Sequence, residues 1–297
     1  MPFLSVGIEL APGLDPGRAE AACFDAGALA VTLSDMRDDP VLEPAPGEVR
    51  LWPATRLRAL FSAERASAQL IAGLGSVLGV AAERIEVAAV EDRVWEREWL
   101  AGFHAMRFGR RLWIAPSHDP VSAPGAVVVE LDPGLAFGTG THPTTALCLE
   151  WLDAHPPEHM TVIDYGCGSG ILAIAAARLG ACAAYAWDID PQAHIATRDN
   201  AQRNRVATIV RLPATESNLP RGADLLLANI LAAALIERAP RFAQLVRPDG
   251  ALVLSGLLDE NADAVTAACA PWFDTRVFSG RDGWICLAGV RRVHDLP

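Results

Sequence analysis

The alternation of apolar strands with helices over the C-terminal half most constrains what this chain can fold into. From Val127 onward, strand candidates that are apolar along most of their length, such as TVIDYG, DLLLANIL and GALVLSGLL, are separated by helix candidates. Strands of this kind are buried on both faces, which predicts an α/β domain with a parallel sheet covered by helices on both sides. Such sheets bind ligands beyond the carboxyl ends of their strands, so we expect the functional site of residues 126–297 at that edge.

Residues 1–92 follow a different order: strand, helix, strand, strand, helix, strand. The second helix is predicted to begin at Ser62 and to end near Gly79. This order is that of the split βαβ or ferredoxin-like plan, so a smaller α+β domain is expected before the larger one. Folds of this plan host many functions, so the pattern alone assigns none to this half.

Residues 93–125 are interpreted as a connector between the two domains. The segment carries three tryptophans and a basic cluster of Arg107, Arg110 and Arg111 before a proline-bounded turn. Two interpretations stay open: a hinge between the domains that is packed by aromatic rings, or a surface that contacts the substrate.

Composition excludes several classes of protein. The formal charge of -11 argues against sequence-independent binding of nucleic acid, which requires a basic surface. An acidic chain is compatible with a basic protein partner. No uncharged apolar run approaches the roughly 18 to 20 residues that span a bilayer, and the first residues lack the basic region of a signal peptide. The six cysteines form no CxxC pair and no zinc-like cluster with histidine. We therefore expect a cytoplasmic protein with reduced thiols, no metal, no membrane association and no direct nucleic-acid contact.

A glycine-rich turn, DYGCGSG at 164–170, follows one of the apolar strands. Glycines permit a tight turn and let a ligand approach the backbone at the start of the next helix. A dinucleotide fingerprint would need its third glycine at position 171, but the residue there is Ile171, and Gly170 comes one residue early. This spacing weakens the case for a nicotinamide cofactor and leaves Gly166 and Gly168 as candidate contacts of another ligand.

The next strand candidate ends in an acidic residue, Asp188, which is followed by Ile189. A carboxylate at this position can accept hydrogen bonds from both hydroxyls of a ribose. Ile189 offers an apolar surface for an adenine. Together with the glycine turn, these residues predict a ligand that carries adenosine and no pyrophosphate, and S-adenosylmethionine is the candidate cofactor.

The segment GLAFGTGTHPTT, residues 134–145, opens another helix, and His142 is its only ionisable residue. It lacks the GK[ST] sequence of a phosphate-binding loop. Its threonine hydroxyls, and the amides that start the helix, can hold a carboxylate such as the methionine end of the cofactor. His142 is open to two interpretations: a general base, or a residue that shapes the start of the helix.

Asn229 ends a buried strand candidate at the same predicted edge as the glycine turn and Asp188. Its side-chain oxygen can accept a hydrogen bond from an amine, and its amide can donate to the cofactor. Methyl transfer to an amine is an in-line displacement at a sulfonium, which needs an aimed, neutral lone pair more than a strong acid. Asn229 is therefore the candidate catalytic residue, and a cap at the strand end is the alternative.

Several segments combine along the chain: PGEVRLW, FHAMRFGRRLWIAPS, LDPGLAFGTGTHPTT, VIDYGCGSGILAIAAARLGA, DIDPQA and ANILA. Together they resemble the bacterial ribosomal protein L11 methyltransferases. The resemblance covers nearly the whole chain, and the segment that ends in THPTT is specific to this family rather than shared by all class I methyltransferases. One departure is His118, where the family more often has tryptophan.

This resemblance implies a Rossmann-like class I methyltransferase domain that holds S-adenosylmethionine, and an N-terminal ferredoxin-like domain that recognises ribosomal protein L11. It implies trimethylation of lysine side chains and of the N-terminal α-amine of L11, and cofactor contacts at Thr145, Gly166, Asp188 and Asn229. We expect the enzyme to act as a monomer. A nicotinamide oxidoreductase, a non-catalytic cofactor-binding module and a methyltransferase of another protein remain as alternatives. Cofactor binding and identification of the methylated protein would separate them.

Overall fold

In a computed structural model, the chain divides into two units, Met1–Trp95 and Glu96–Pro297. The structure describes residues 3–10, 14–37, 52, 54–62, 64, 68–81, 84–90, 103–132 and 140–293. Among these residues, no helix is both long enough and apolar enough to cross a membrane.

The smaller unit is a four-stranded antiparallel sheet with two helices. Its elements are β1 (Phe3–Glu9), α1 (Pro16–Asp25), β2 (Ala30–Asp35), β3 (Thr55–Ser62), α2 (Ala68–Leu78) and β4 (Ile85–Val90). The strands lie in the order β2-β3-β1-β4. This is the order of elements that the sequence predicts.

The predicted start of the second helix at Ser62 is wrong. Ser62 ends β3, and α2 is described from Ala68. The alternating burial of β3 continues through the fully buried Phe61, which keeps the chain extended up to this point. The predicted end is confirmed, since α2 ends at Leu78 and Gly79 has a φ of +65°.

The larger unit is built on a seven-stranded sheet. Its elements are β5 (Met106–Phe108), β6 (Leu112–Ala115), β7 (Val127–Glu130), α3 (Pro143–Ala154), β8 (Thr161–Tyr165), α4 (Ile171–Arg178), β9 (Ala183–Trp187), α5 (Pro191–Arg203), β10 (Val210–Arg211), β11 (Ala223–Asn229), α6 (Ala232–Leu245), β12 (Val246–Leu258), α7 (Ala262–Cys269), β13 (Phe273–Arg281) and β14 (Trp284–Arg291). The strands of the large sheet lie in the order β10-β9-β8-β11-β12-β14-β13.

Most of the predicted parallel sheet is confirmed, and its last two strands differ. The strands from β10 to β12 in this order pair in parallel, whereas β14 is antiparallel to both β12 and β13. Only Asp282 and Gly283 separate β13 from β14, and a parallel connection would need a crossover of about a dozen residues or more. Two clusters of buried side chains cover the two faces of the sheet, one beneath α3, α4 and α5 and one beneath α6 and α7.

The described part of the predicted connector, from Phe103 onward, lies in the larger unit. β5 pairs with β6, and β6 pairs with β7, in a separate three-stranded sheet. Phe108, Leu112 and Ile114 are buried in the same cluster as the side chains of α3 and α4. His118 bonds through Nε2 to the carbonyl oxygen of Phe103 at 3.0 Å, which ties the segment before β5 to the turn after β6.

The turn that carries the basic cluster is fixed by Asp153 of α3. The buried carboxylate of Asp153 accepts the backbone N–H groups of Arg110 and Arg111, the latter at 3.0 Å. The guanidinium carbon of Arg107 lies 5.9 Å from the ring centroid of Trp113. These contacts hold the turn within the larger unit and leave the side chains of Arg110 and Arg111 exposed.

Candidate active site

The carboxyl ends of β8, β9 and β11 meet along a cleft of about 410 Å³. Five of the six residues predicted to contact the cofactor line this cleft: Gly166, Gly168, Asp188, Ile189 and Asn229. The sixth, Thr145, is fully buried and is joined to Asn229 by a hydrogen bond. The rest of the lining consists of Tyr165, Trp187, Ile230, Leu231, Ala234 and Arg238.

A larger cleft, of about 710 Å³, lies at the amino edge of the same sheet. None of the predicted site residues lines it. Arg247 and Asp224, which do line it, form an ion pair with a distance of 2.7 Å between Nε and Oδ1. We place the site in the smaller cleft, because ligands of parallel sheets bind at the carboxyl edge.

Backbone conformation explains the glycines of the turn after β8. Gly166, Gly168 and Gly170 have φ angles of +80°, +52° and +79°, a region that favours glycine. A Cβ added at Gly166 would lie 2.3 Å from Cγ2 of Ile230. The glycines therefore keep this turn narrow and leave its backbone accessible to a ligand in the cleft.

Asp188 links the glycine turn to the end of β9. Its Oδ2 accepts the backbone N–H of Gly168 at 2.9 Å, and its Oδ1 accepts the backbone N–H of Asp190 at 3.0 Å. Each carboxylate oxygen has a further lone pair with which it can accept a ribose hydroxyl. Ile189 is 88% exposed, so its apolar surface is available to an adenine.

Asn229 lies at the end of β11 and is bonded to the start of α3. Its Nδ2 donates to Oγ1 of Thr145 at 3.1 Å. One of the two N–H groups of the amide is therefore bonded within the protein, and the other can donate to the cofactor. Within the described part of the chain, no donor is bonded to Oδ1 of Asn229. This oxygen is therefore the atom that can receive an amine.

His142 caps α3. Its Nδ1 accepts the backbone N–H of Thr144 at 3.4 Å and lies 2.8 Å from the Thr144 hydroxyl. Its ring meets that of Trp284 edge-on, with the ring centroids 5.0 Å apart. Burial lowers the pKa of His142, which favours the neutral form of the ring. These contacts support the interpretation of His142 as a residue that shapes the start of the helix.

Sequence reasoning misses Asp164, which lies beneath the glycine turn. Its Oδ2 accepts the backbone N–H of Ala173 at 2.9 Å, and its buried Oδ1 has no hydrogen-bond partner among the described residues. Burial raises the pKa of this carboxyl to about 7. An acidic residue inside an apolar strand is the signal that indicates it.

Sequence reasoning also misses two residues of α5, Thr197 and Asn200, which bond to carbonyl groups of the glycine turn. Their spacing of three residues, which places both on one helix face, is the signal that could have indicated them.

The fold and the site together define the class of this protein. The mostly parallel seven-stranded sheet, the glycine turn after β8 and the carboxylate after β9 are those of a class I methyltransferase that uses S-adenosylmethionine. In the described part of the chain, no group of three or more His, Cys, Asp or Glu side chains could hold a metal ion.

Comparison with known proteins gives the family. Residues 16–292 match the family described as "Ribosomal protein L11 methyltransferase (PrmA)". The chain is 49% identical over 296 residues to the ribosomal protein L11 methyltransferase of Pseudomonas aeruginosa (strain UCBPP-PA14), which covers 98% of this chain and 99% of that protein. It is 48% identical over 296 residues to the corresponding protein of Azotobacter vinelandii, with 98% and 100% covered. The chain belongs to the ribosomal protein L11 methyltransferase family.

A solved structure agrees with this membership. The ribosomal protein L11 methylase from Lactobacillus delbrueckii subsp. bulgaricus is 32% identical, with a TM-score of 0.59, and the match covers 64% of this chain and 100% of that chain. The family match favours a methyltransferase over the nicotinamide oxidoreductase that the glycine turn alone left open.

Proposed function

We propose that this protein transfers methyl groups from S-adenosylmethionine to amino groups of ribosomal protein L11, namely lysine side chains and the N-terminal α-amine. The observation that carries the proposal is the place of Asn229, at the sheet edge that also presents Gly168 and Asp188. The two relatives are named ribosomal protein L11 methyltransferases, which supports L11 as the methyl acceptor.

The residues of the cleft fit this cofactor. We assign the ribose to Asp188, the adenine to Ile189, and the close approach of the backbone to Gly166 and Gly168. Thr145 acts at the methionine end, through the amides that start α3 and through its bond to Asn229. When bound, S-adenosylmethionine supplies a methyl group on a positively charged sulfur.

Asn229 is assigned both a catalytic and a cofactor-binding role. An amine that donates one N–H to Oδ1 of Asn229 keeps its lone pair for the methyl group, so the side chain orients the acceptor. The amide is neutral, and it therefore does not stabilise the ammonium form of the amine as a carboxylate would. The remaining N–H of the amide is available to the cofactor.

We assign recognition of the substrate protein to residues 1–92 and methyl transfer to residues 126–297, with residues 93–125 between them. The order of elements and the strand order β2-β3-β1-β4 support a ferredoxin-like plan for the first domain. The net charge of -11 supports a basic protein partner rather than direct contact with nucleic acid. We place the enzyme in the cytoplasm as a monomer.

The test uses labelled S-adenosylmethionine with purified L11 and, separately, with a cell extract. We expect label on lysine residues and the N-terminal residue of L11, mapped by mass spectrometry. Asn229→Ala should abolish labelling, whereas Asn218→Ala, at an exposed position of the same unit, should retain it. Label in another protein would overturn the assignment of L11. Cofactor binding without transfer to any protein would favour the non-catalytic module.

A further inference from the structure

Helix α5 presents a buried polar face. Thr197, Asn200 and the C-cap residue Asn204 stand three and four residues apart, so they lie on one side of the helix. Their exposed fractions are 0%, 9% and 5%. Buried polar side chains need hydrogen-bond partners, so the partners of these three residues show what the helix holds in place.

Two of the three residues bond to the glycine turn. The hydroxyl of Thr197 donates to the carbonyl oxygen of Gly168 at 3.1 Å, and Nδ2 of Asn200 donates to the carbonyl oxygen of Ser169 at 2.9 Å. Thr197 also packs against Gly170 on the side where a side chain would stand: an added Cβ would lie 2.6 Å from Cγ2 of Thr197. The helix therefore contacts the turn at three successive residues.

Gly168 is held from both sides. Its N–H donates to Asp188 at 2.9 Å, while its carbonyl accepts from Thr197. Asp188 in turn accepts the N–H of Asp190, whose side chain caps α5 by accepting the N–H of Gln192 at 2.9 Å. The glycine turn and the carboxylate assigned to the ribose are thus both tied to the same helix.

We propose that Thr197 and Asn200 are positioning residues for the cofactor: through the carbonyls of Gly168 and Ser169, they hold the glycine turn in the conformation that receives S-adenosylmethionine. This proposal rests on the assignment of the turn to the cofactor made above. Neither side chain lines the cleft, so its effect on affinity passes through the turn. Without these donors the turn gains conformations that do not bind, and the apparent affinity falls in proportion to the competent fraction.

The test measures cofactor affinity of the full chain by calorimetry. Thr197→Val removes the hydroxyl and nearly preserves the shape of the side chain, whereas Thr197→Ser keeps the hydroxyl. We expect Thr197→Val to weaken binding about tenfold and Thr197→Ser to restore most of the affinity. Asn200→Leu should weaken binding similarly, and it keeps the proposal testable where Thr197→Val does not fold.

Asn204→Leu is the matched control. Asn204 lies on the same buried face, but its side chain bonds to the backbone N–H and carbonyl of Glu130, each at 2.7 Å, and not to the glycine turn. Its Nδ2 also donates to the backbone carbonyl of Asn200 at 2.9 Å, a bond that does not involve the side chain of Asn200. We expect this variant to have a lower Tm and an unchanged Kd for the cofactor. Equal weakening in Asn204→Leu and Asn200→Leu, or unchanged affinity in Thr197→Val and Asn200→Leu, would overturn the positioning role.

Asp188→Ala in the same series separates the two proposals. Unchanged affinity in Asp188→Ala would refute the assignment of the site. Weakened affinity in Asp188→Ala together with unchanged affinity in Thr197→Val and Asn200→Leu would refute only the positioning role.

A second readout does not depend on the cofactor. Cys167 lies in the glycine turn, is 5% exposed, and has its Sγ 3.4 Å from Oγ1 of Thr197. We expect Thr197→Val and Asn200→Leu to speed the alkylation of Cys167 by iodoacetamide. Peptide mass spectrometry measures this rate, and the exposed Cys182 is the internal reference. An unchanged ratio of the two rates in both variants would show that α5 does not hold the turn.

Discussion

The side-chain amide of Asn229 donates to the hydroxyl of Thr145 over 3.1 Å, across 84 positions of sequence. Thr145 is fully buried at the start of α3, whereas Asn229 is half-buried at the edge of the cleft. Because the nitrogen of the amide is held by Thr145, the orientation of the whole group is defined, and its oxygen takes the opposite position. A buried threonine thus orients the side chain proposed to receive the amine.

Thr145→Val removes this acceptor with little change in shape. We expect kcat with L11 to fall about tenfold, the equivalent of one hydrogen bond of ordinary strength, and Thr145→Ser to retain most of it. In the double variant with Asn229→Ala, loss of Thr145 should add nothing, since the two residues act as one unit. Independent, additive losses would show that Thr145 acts by another route.

Asp188→Ala removes the carboxylate assigned to the ribose. We expect it to weaken binding of S-adenosylmethionine by about 1.5 to 3 kcal/mol, roughly ten- to a hundredfold, as measured by calorimetry. Asp199→Ala, which removes an exposed carboxylate from the neighbouring helix, is the control for the change in charge and should bind normally. Equal affinities for the two variants would contradict the assignment.

The sheet edge could be predicted from the sequence because it depends on local patterns. Asp188 and Asn229 each follow a buried apolar strand, and the carboxyl ends of parallel strands meet at one edge whatever the loops between them do. The place of β14 could not be predicted in this way. It depends on pairing with residues far along the chain, such as Leu254 with Leu287, which no local pattern encodes.

The hydrogen bonds that hold the glycine turn could not be predicted from the sequence for a similar reason. Thr197 and Asn200 bond to main-chain carbonyls that lie 29 and 31 positions away, and a carbonyl is present at every residue. The three-residue spacing of Thr197 and Asn200 can indicate a shared helix face, but no side-chain pattern identifies the carbonyl groups to which they bond. Asp164 stands out in the sequence as an acidic residue inside an apolar strand, but its raised pKa and its unpartnered oxygen are evident only from the structure.

Asp164 should make stability depend on pH. Burial raises its pKa to about 7 in the folded protein, whereas an unfolded aspartate has a pKa near 3.9. Because the folded value is higher, the contribution to stability is fully present below about pH 4 and is lost as the pH rises through about 7. We expect wild type to lose about 2 to 3 kcal/mol more of its unfolding free energy than Asp164→Asn between pH 5 and pH 8. Urea unfolding of both proteins without cofactor, at each pH, gives this difference; parallel curves would show that Asp164 does not titrate in this range.

Truncation tests the assignment of the two units. We expect residues 96–297 to bind S-adenosylmethionine as the full chain does and to methylate L11 poorly, because a remote domain positions the amine. A shorter fragment, 126–297, lacks Leu112 and Ile114, which are fully buried in the core of the larger unit. Loss of these two side chains costs roughly 3 to 6 kcal/mol, so its Tm should be markedly lower. Full activity of residues 96–297 on intact L11 would refute the division of labour.

The last prediction concerns how the amine loses its proton. A lysine ammonium has no lone pair, and its unperturbed pKa near 10.4 leaves about 0.04% neutral at pH 7. Among the described residues, Asp188 is the one carboxylate that lines the cleft, and backbone N–H groups bond to both of its oxygens. His142 has its Nδ1 directed at Thr144 as a helix cap. We therefore expect deprotonation to proceed largely through water, with Asn229 orienting the neutral amine.

On this hypothesis, the rate at subsaturating L11 rises with pH well past 8, because the neutral fraction of the amine sets the rate. His142→Asn keeps a capping side chain and removes the imidazole, so it should retain most activity. Asn229→Ala should lose a hundredfold or more while its Tm stays close to that of wild type. A flat profile from pH 7 to 10, or a His142→Asn enzyme as inactive as Asn229→Ala, would show that a dedicated base exists and that the imidazole is more than a helix cap.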